Sequence, residues 1–159
     1  MRRIFKVTIF VASTILVLAG CKKNEGIDFD PYEQLGKDTL LIKSYLADSI
    51  PAIMHSSGVY YQIKSPGSGN VTYTGATTIE AKYTGRILGS SSTFDSGTHK
   101  FQLGGVIAGW QIGIPLIQKG GKIRLIIPSG YGYGYSGSGA EIPSNSILDF
   151  EIELIDVIN

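Results

Sequence analysis

The sequence predicts an α+β fold in which several antiparallel strands accompany one short helix. Three observations point to it. Thr78–Leu88 and Lys122–Pro128 alternate polar and apolar residues at the strand period of two. Most of the 21 glycines lie in the second half of the chain, between these strand-like runs, where they read as turns. Only one run in that half, Val106–Leu116, reads as a helix. A hydrophobic content of 43% against 17% charged residues supplies a real core and argues against wholesale disorder.

The elements follow in order. Ser57–Lys64 is a strand, and Ser65-Pro66-Gly67-Ser68-Gly69-Asn70 a turn cluster. In Thr78–Leu88, Ile79, Ala81 and Tyr83 share one face. Gly89–Thr93 is a loop and Phe101-Gln102-Leu103 a short strand. Val106–Leu116 is bounded by turn glycines. Ile123, Leu125 and Ile127 line one face of Lys122–Pro128. Ser129–Ser146 is a long loop rich in Gly and Tyr, and Ile147–Ile158 closes the fold as a strand carrying Ile147, Phe150, Ile152, Leu154 and Val157.

Upstream, Pro31–Ser49 reads as a helix, with Asp30 as N-cap, Pro31 in the first turn and Glu33 near the start. Leu35, Leu41, Ile42, Tyr45 and Leu46 form its apolar stripe. The helix packs on the main domain or spaces it from a membrane; the sharper alternative is a dimerisation helix. Because such stripes are commonly buried, packing is the preferred expectation.

The N-terminus has the layout of a secretory signal: basic Met1–Lys6, a mostly apolar Val7–Leu18, then small residues. The apolar stretch is shorter than the ~20 residues that span a bilayer. Leu18-Ala19-Gly20-Cys21 resembles a bacterial lipobox. That resemblance implies cleavage before Cys21 and its lipidation. Lys22 after the cysteine then leans towards the outer membrane. The expected organisation is a signal peptide over 1–20, a tether over 21–30, a helical extension over 31–56 and the main domain over 57–159. The expected location is the bacterial cell envelope, lipid-anchored through Cys21 and facing the periplasm or the cell surface.

Charge and composition exclude other classes. Without Arg2, Arg3 and Lys6, 11 basic residues face 13 acidic ones, a net charge of −2, so nothing favours nucleic acid as a partner. Cys21, the single cysteine, forms no internal disulfide. No His/Cys cluster has metal-ligand spacing, and neither metal nor cofactor is expected. His55 and His99 read as isolated surface or loop residues.

The C-terminal motifs carry a specific resemblance. Lys82-Tyr83-Thr84-Gly85, Thr93-Phe94-Asp95-Ser96, Gly105-Val106-Ile107-Ala108-Gly109-Trp110, Gly120-Gly121-Lys122 through Ile127-Pro128, Tyr131-Gly132-Tyr133-Gly134, Ile142-Pro143 and Ile147-Leu148-Asp149-Phe150 stand in the order of an FKBP-type peptidyl-prolyl cis-trans isomerase. The resemblance runs from about Gly58 to the C-terminus. It implies an antiparallel β half-barrel wrapped around one short helix. It also implies isomerase activity on Xaa-Pro bonds of exported polypeptides, with macrolide inhibitors as further ligands.

Residue by residue, the resemblance implies that Trp110 floors the pocket and that Tyr83, Phe94, Phe101, Val106, Ile107 and Phe150 wall it. Ile107 offers its amide, Tyr133 its hydroxyl, Asp95 orients the polar edge through Tyr83, and Ile142 makes an apolar contact from the long loop. Three departures touch the rim: small polar residues over Ser136–Glu141, Gln111-Ile112 where the family commonly has an acid, and a Ser-rich loop after Leu88. The competing function is a non-catalytic peptide-binding chaperone or assembly module using the same groove. A structural lipoprotein without ligand has no residue in its favour.

The chemistry suits these residue types. Rotation about an Xaa-Pro bond is opposed by partial double-bond character, with a barrier of ~18–20 kcal/mol. The twisted amide has a less polar carbonyl than the ground state, so a dry apolar pocket favours it relative to water, and a few fixed donors hold it in place. No nucleophile is required.

Overall fold

In the computed structural model, residues 30–47 and 51–159 are described. The signal peptide, Cys21 and nearly all of the tether lie outside the described residues. The first helix, α1, spans Pro31–Leu46. Asp30 caps it, its carboxylate accepting from the Tyr32 backbone N–H at 2.8 Å. No described helix is long and apolar enough to cross a membrane.

Among the described residues six strands follow: β1 (Ile53–Met54), β2 (Tyr60–Ser65), β3 (Thr78–Ile87), β4 (Thr93–Gln102), β5 (Lys122–Ile127) and β6 (Leu148–Ile158). They form one antiparallel sheet in the order β1-β2-β5-β6-β3-β4. The period-two alternation places Ile79, Ala81 and Tyr83 of β3, Ile123, Leu125 and Ile127 of β5, and Leu148, Phe150, Ile152 and Leu154 of β6 in a single core.

The short helix α2, Ala108–Gly113, lies on that face. It is shorter than the expected Val106–Leu116. Val106 and Ile107 are extended at its start, and a 3-10 turn, Ile114–Leu116, follows it. Pro115 has no backbone N–H, so the α-helical ladder cannot pass it. Gly109 and Gly113, one turn apart, allow close docking. A Cβ would stand 2.4 Å from Ile127 Cγ2 at the first and 2.4 Å from Leu125 Cδ2 at the second.

The opposite face of β5 carries Ile126, which joins Tyr60, Ile147 and the fully buried Ile42 of α1 in a second, smaller core. The two helices thus cover opposite faces of one sheet. Of the expected stripe on α1, Ile42 is buried, while Leu41 and Tyr45 stay largely exposed.

The largest difference from expectation is β4. A three-residue strand was expected at Phe101–Leu103, and a ten-residue edge strand forms instead. Its solvent-facing residues are Thr, Ser, His and Lys, so apolar alternation is missing; an edge strand pairs on one side only and needs little of it. The brief strand β1 was also not expected.

Candidate functional site

The core face of the sheet is left open at one end, where β3, β4, β6 and the approach to α2 surround a pocket of about 270 Å³. Tyr83, Asp95, Phe101, Gly105, Val106, Ile107, Trp110, Tyr133 and Phe150 line it. Each lining group has a local reason for its place. Trp110 sits in the first turn of α2 and is only 4% exposed. Three rings meet it edge-on: Tyr83 at 5.2 Å, Phe150 at 5.4 Å and Phe101 at 5.7 Å between centroids. Edge-to-face packing is the favoured geometry of such rings and fixes their orientation. Val106 and Ile107 line the wall because they are extended, not helical.

A β-bulge sets the polar edge. Arg86 pairs with Thr93 and Gly85 with Asp95, so Phe94 is the extra residue of β4. A bulge re-aims side chains, and here consecutive Phe94 and Asp95 both border the same recess. Gly85 makes room for the Phe94 and Phe150 rings: a Cβ there would lie 2.5 Å from Phe150 Cε1 and 2.8 Å from Phe94 Cζ.

The Tyr83 hydroxyl donates to Asp95 Oδ2 at 2.7 Å. Burial and then this hydrogen bond, with the Asp95 charge and the nearby Tyr133 adding to it, push the Tyr83 phenol up to about 12. It is therefore a donor at all ordinary pH.

Nine residues were expected around the pocket besides Tyr133, together with the distant Cys21. The structure brings Tyr83, Asp95, Phe101, Val106, Ile107, Trp110, Tyr133 and Phe150 together around one cavity. Phe94 and Ile142 do not line it. They border a wider adjoining recess of about 520 Å³, which shares Asp95 and Tyr133 and extends over Ser138–Glu141. Phe94 backs the main pocket through Phe150, edge-on at 5.6 Å. Ile142 is 6% exposed and belongs to the core, held by the Ser138–Ile142 bridge. Gly137 permits that turn with φ at +64°; a Cβ there would meet the Ile142 carbonyl oxygen at 2.3 Å.

Sequence reasoning missed Gly105 as a lining residue and treated His99 as isolated. His99 is exposed, but it stands on β4 with its ring 6.2 Å from those of Tyr83 and Phe101. Gln111, standing where the family commonly has an acid, donates from Nε2 to the Val106 carbonyl at 2.8 Å and ties α2 to the pocket wall. Among the described residues, no group of three or more His, Cys, Asp or Glu could hold a metal ion.

An open antiparallel sheet around one short helix, with an aromatic pocket at its mouth, defines a class of ligand-binding α+β domain. Residues 69–155 match the FKBP-type peptidyl-prolyl cis-trans isomerase family, and the chain belongs to that family. Over 109 residues it is 44% identical to the FKBP-type peptidyl-prolyl cis-trans isomerase FkpA of Buchnera aphidicola subsp. Schizaphis graminum, covering 65% of this chain and 42% of that protein. Over 106 residues it is 39% identical to FkpA of Escherichia coli K12, covering 64% and 38%. The chain thus spans about two-fifths of the length of these relatives. A solved peptidyl-prolyl cis-trans isomerase from Pseudomonas syringae pv. tomato superposes with a TM-score of 0.69 at 29% identity, covering 84% of this chain and all of that one.

Proposed function

We propose that the protein is a peptidyl-prolyl cis-trans isomerase whose active site is the pocket floored by Trp110, with residues 57–159 as its catalytic domain. The observation that carries this reading is one arrangement: an apolar, ring-walled cavity whose polar groups are the paired Tyr83 and Asp95 on one edge and Tyr133 on the rim. A proline ring stacks over Trp110 between Tyr83, Phe101 and Phe150. Val106 and Ile107 close the side, and the Ile107 amide and Tyr133 hydroxyl hold the flanking carbonyls. Phe94 and Ile142 support the walls and meet the residues on either side of the proline.

The mechanism needs no covalent step. Removal from water disfavours the polar planar amide relative to the twisted one, and fixed donors hold one side of the bond while the other rotates. The cis and trans isomers lie within ~0.5–1 kcal/mol of each other, so a site complementary to the twist serves both directions.

The clients are proline-containing exported polypeptides in the cell envelope, with the protein held on the membrane through lipidated Cys21. The names of the FKBP-type relatives support the activity; the signal-like N-terminus supports the location. Macrolides that carry a proline-like ring are further ligands of the same pocket.

The test is NMR exchange spectroscopy of a short Xaa-Pro peptide with the protein and with a Phe94→Ala, Trp110→Ala double variant. Faster exchange with the parent alone is expected. No acceleration by the folded parent moves the protein to the peptide-binding class. For the anchor, Cys21→Ala is expected to release the protein from membranes, and persistent membrane association contradicts the lipoprotein reading.

A further inference from the structure

Outside the pocket, one polar group stands out. Asp38, in the middle of α1, is 1% exposed. Its carboxylate accepts three hydrogen bonds: from Gln34 Nε2 at 2.8 Å on its own helix, and from the backbone N–H and the hydroxyl of Ser129, both at 2.7 Å. Ser129 is itself fully buried and lies 91 residues further along the chain. A buried carboxylate is costly unless its acceptors are filled, and here both oxygens are used.

The place where α1 grips the domain matters. Ser129 opens the 3-10 turn Ser129–Tyr131 that starts the long loop, and Tyr133 of that loop lines the pocket. The segment between them is held at several points. The Gly132 N–H donates to the Ser129 carbonyl at 2.9 Å, and the Tyr131 hydroxyl to the Ser57 carbonyl at 2.8 Å. Just beyond Tyr133, the Asn145 N–H donates to the Gly134 carbonyl at 2.9 Å. Gly132 is pressed against Leu148, where a Cβ would come within 2.8 Å of Cδ1. A segment this closely packed transmits a shift at Ser129 to Tyr133, four residues on.

We propose that Asp38 is a positioning residue for the pocket: the α1 carboxylate fixes Ser129 and, through the Ser129–Gly132 turn, the rim position of the Tyr133 hydroxyl. The N-terminal helix is then part of the working site and not only a packed spacer. Donors must be held to within a fraction of an ångström to act on a bond in rotation, so a support of this kind is read out in catalysis as well as stability. This inference rests on the isomerase reading of the pocket.

The test uses the full chain. Asp38→Ala is expected to lower kcat/KM for an Xaa-Pro peptide by roughly three- to tenfold, the factor that a neutral hydrogen bond confers. In a Tyr133→Phe background the same substitution is expected to lower it no further, while the loss of thermal stability persists in both backgrounds. Equal losses of kcat/KM in both backgrounds, or no loss in either, overturn the proposal.

Asp38→Asn is the conservative rescue. Its amide oxygen still accepts from Ser129 while its NH₂ meets the flipped Gln34 amide, so activity near the parent's is expected. If Asp38→Ala does not fold, Ser129→Ala, which deletes one of the two donors, takes its place in the same cycle.

The ring resonances of ¹³C-labelled tyrosines, assigned with Tyr133→Phe, give a readout independent of turnover. In Asp38→Ala the Tyr133 signals are expected to move while those of Tyr83 stay. Unmoved Tyr133 signals overturn the proposal. If the parent itself fails to accelerate exchange, the isomerase reading falls, and these resonances alone decide whether Asp38 positions Tyr133.

Discussion

The two faces of the sheet are built from the same alternating strands but finished differently. On the core face, α2 is short and glycine-docked, and three aromatic rings meet around Trp110 without filling the mouth of the sheet. Trp110 Nε1 is buried there with no hydrogen-bond partner among the described residues. On the other face, α1 closes a small core of Ile42, Tyr60, Ile126 and Ile147; the Tyr60 hydroxyl is buried there without a partner among the described residues, but the charged groups Asp38 and Arg124 are paired. Arg124 donates to both oxygens of Asp149, at 2.8 and 2.6 Å, with its guanidinium 6.0 Å from the centroid of the Tyr45 ring. That carboxylate is the main reason the Arg124 pKa is raised. The lesson is that a face closed by a helix and tied by paired charged groups serves as a brace, whereas a face of oriented rings left open is suited to receive a ligand.

Breaking the core face is expected to have the largest effect. Trp110→Ala removes the residue that three rings touch and is expected to cost about 3–5 kcal/mol in denaturant unfolding, together with the loss of peptide turnover. A loss below about 1 kcal/mol would mean that the rings do not depend on the indole.

Breaking the brace comes next. Asp38→Ala leaves the Ser129 N–H and hydroxyl buried without partners and is expected to destabilise by about 1–3 kcal/mol. Urea unfolding followed by far-UV circular dichroism measures it.

Tyr133→Phe separates function from stability. The ring stays and one donor goes, so turnover is expected to fall by the equivalent of about 0.5–1.5 kcal/mol with an unchanged unfolding midpoint. Unchanged turnover would remove the Tyr133 hydroxyl from the mechanism.

The smallest effect at ordinary pH is the titration of Tyr83. Its folded value of about 12 lies above the ordinary phenol value of about 10. The protonated form is thus favoured by folding. Its contribution is complete below pH ~10 and is lost as pH rises through 12. Stability measured between pH 9 and 12 is expected to fall less in Tyr83→Phe than in the parent.

Much of the fold was legible because its central strands obey a simple period. Ile79, Ala81 and Tyr83, and Ile123, Leu125 and Ile127, announce one buried face each. β4 was not legible beyond Phe101, since an edge strand of Thr, Ser, Gly, His and Lys carries no inward pattern. The extent of α2 was overread because Val106 and Ile107 are apolar and adjoin a helix, although their backbone is extended. Within the site, the family order of motifs led to the rings, but the bulge that turns both Phe94 and Asp95 towards the adjoining recess depends on pairing with Gly85, which no local pattern encodes. The Asp38–Ser129 contact joins positions 91 residues apart, and a lone Asp on a helix gives no sign of it in the sequence.

The most direct measurement compares a lesion in the pocket wall with one on the outer surface of α1. Exchange spectroscopy on an Xaa-Pro peptide would be run with Phe101→Ala, in the pocket wall, and with Leu41→Ala, on the exposed side of α1. The account predicts that acceleration falls strongly with Phe101→Ala and is unchanged with Leu41→Ala. Full acceleration in a folded Phe101→Ala protein, or an equal loss in both, would contradict the assignment of catalysis to the ring-walled pocket.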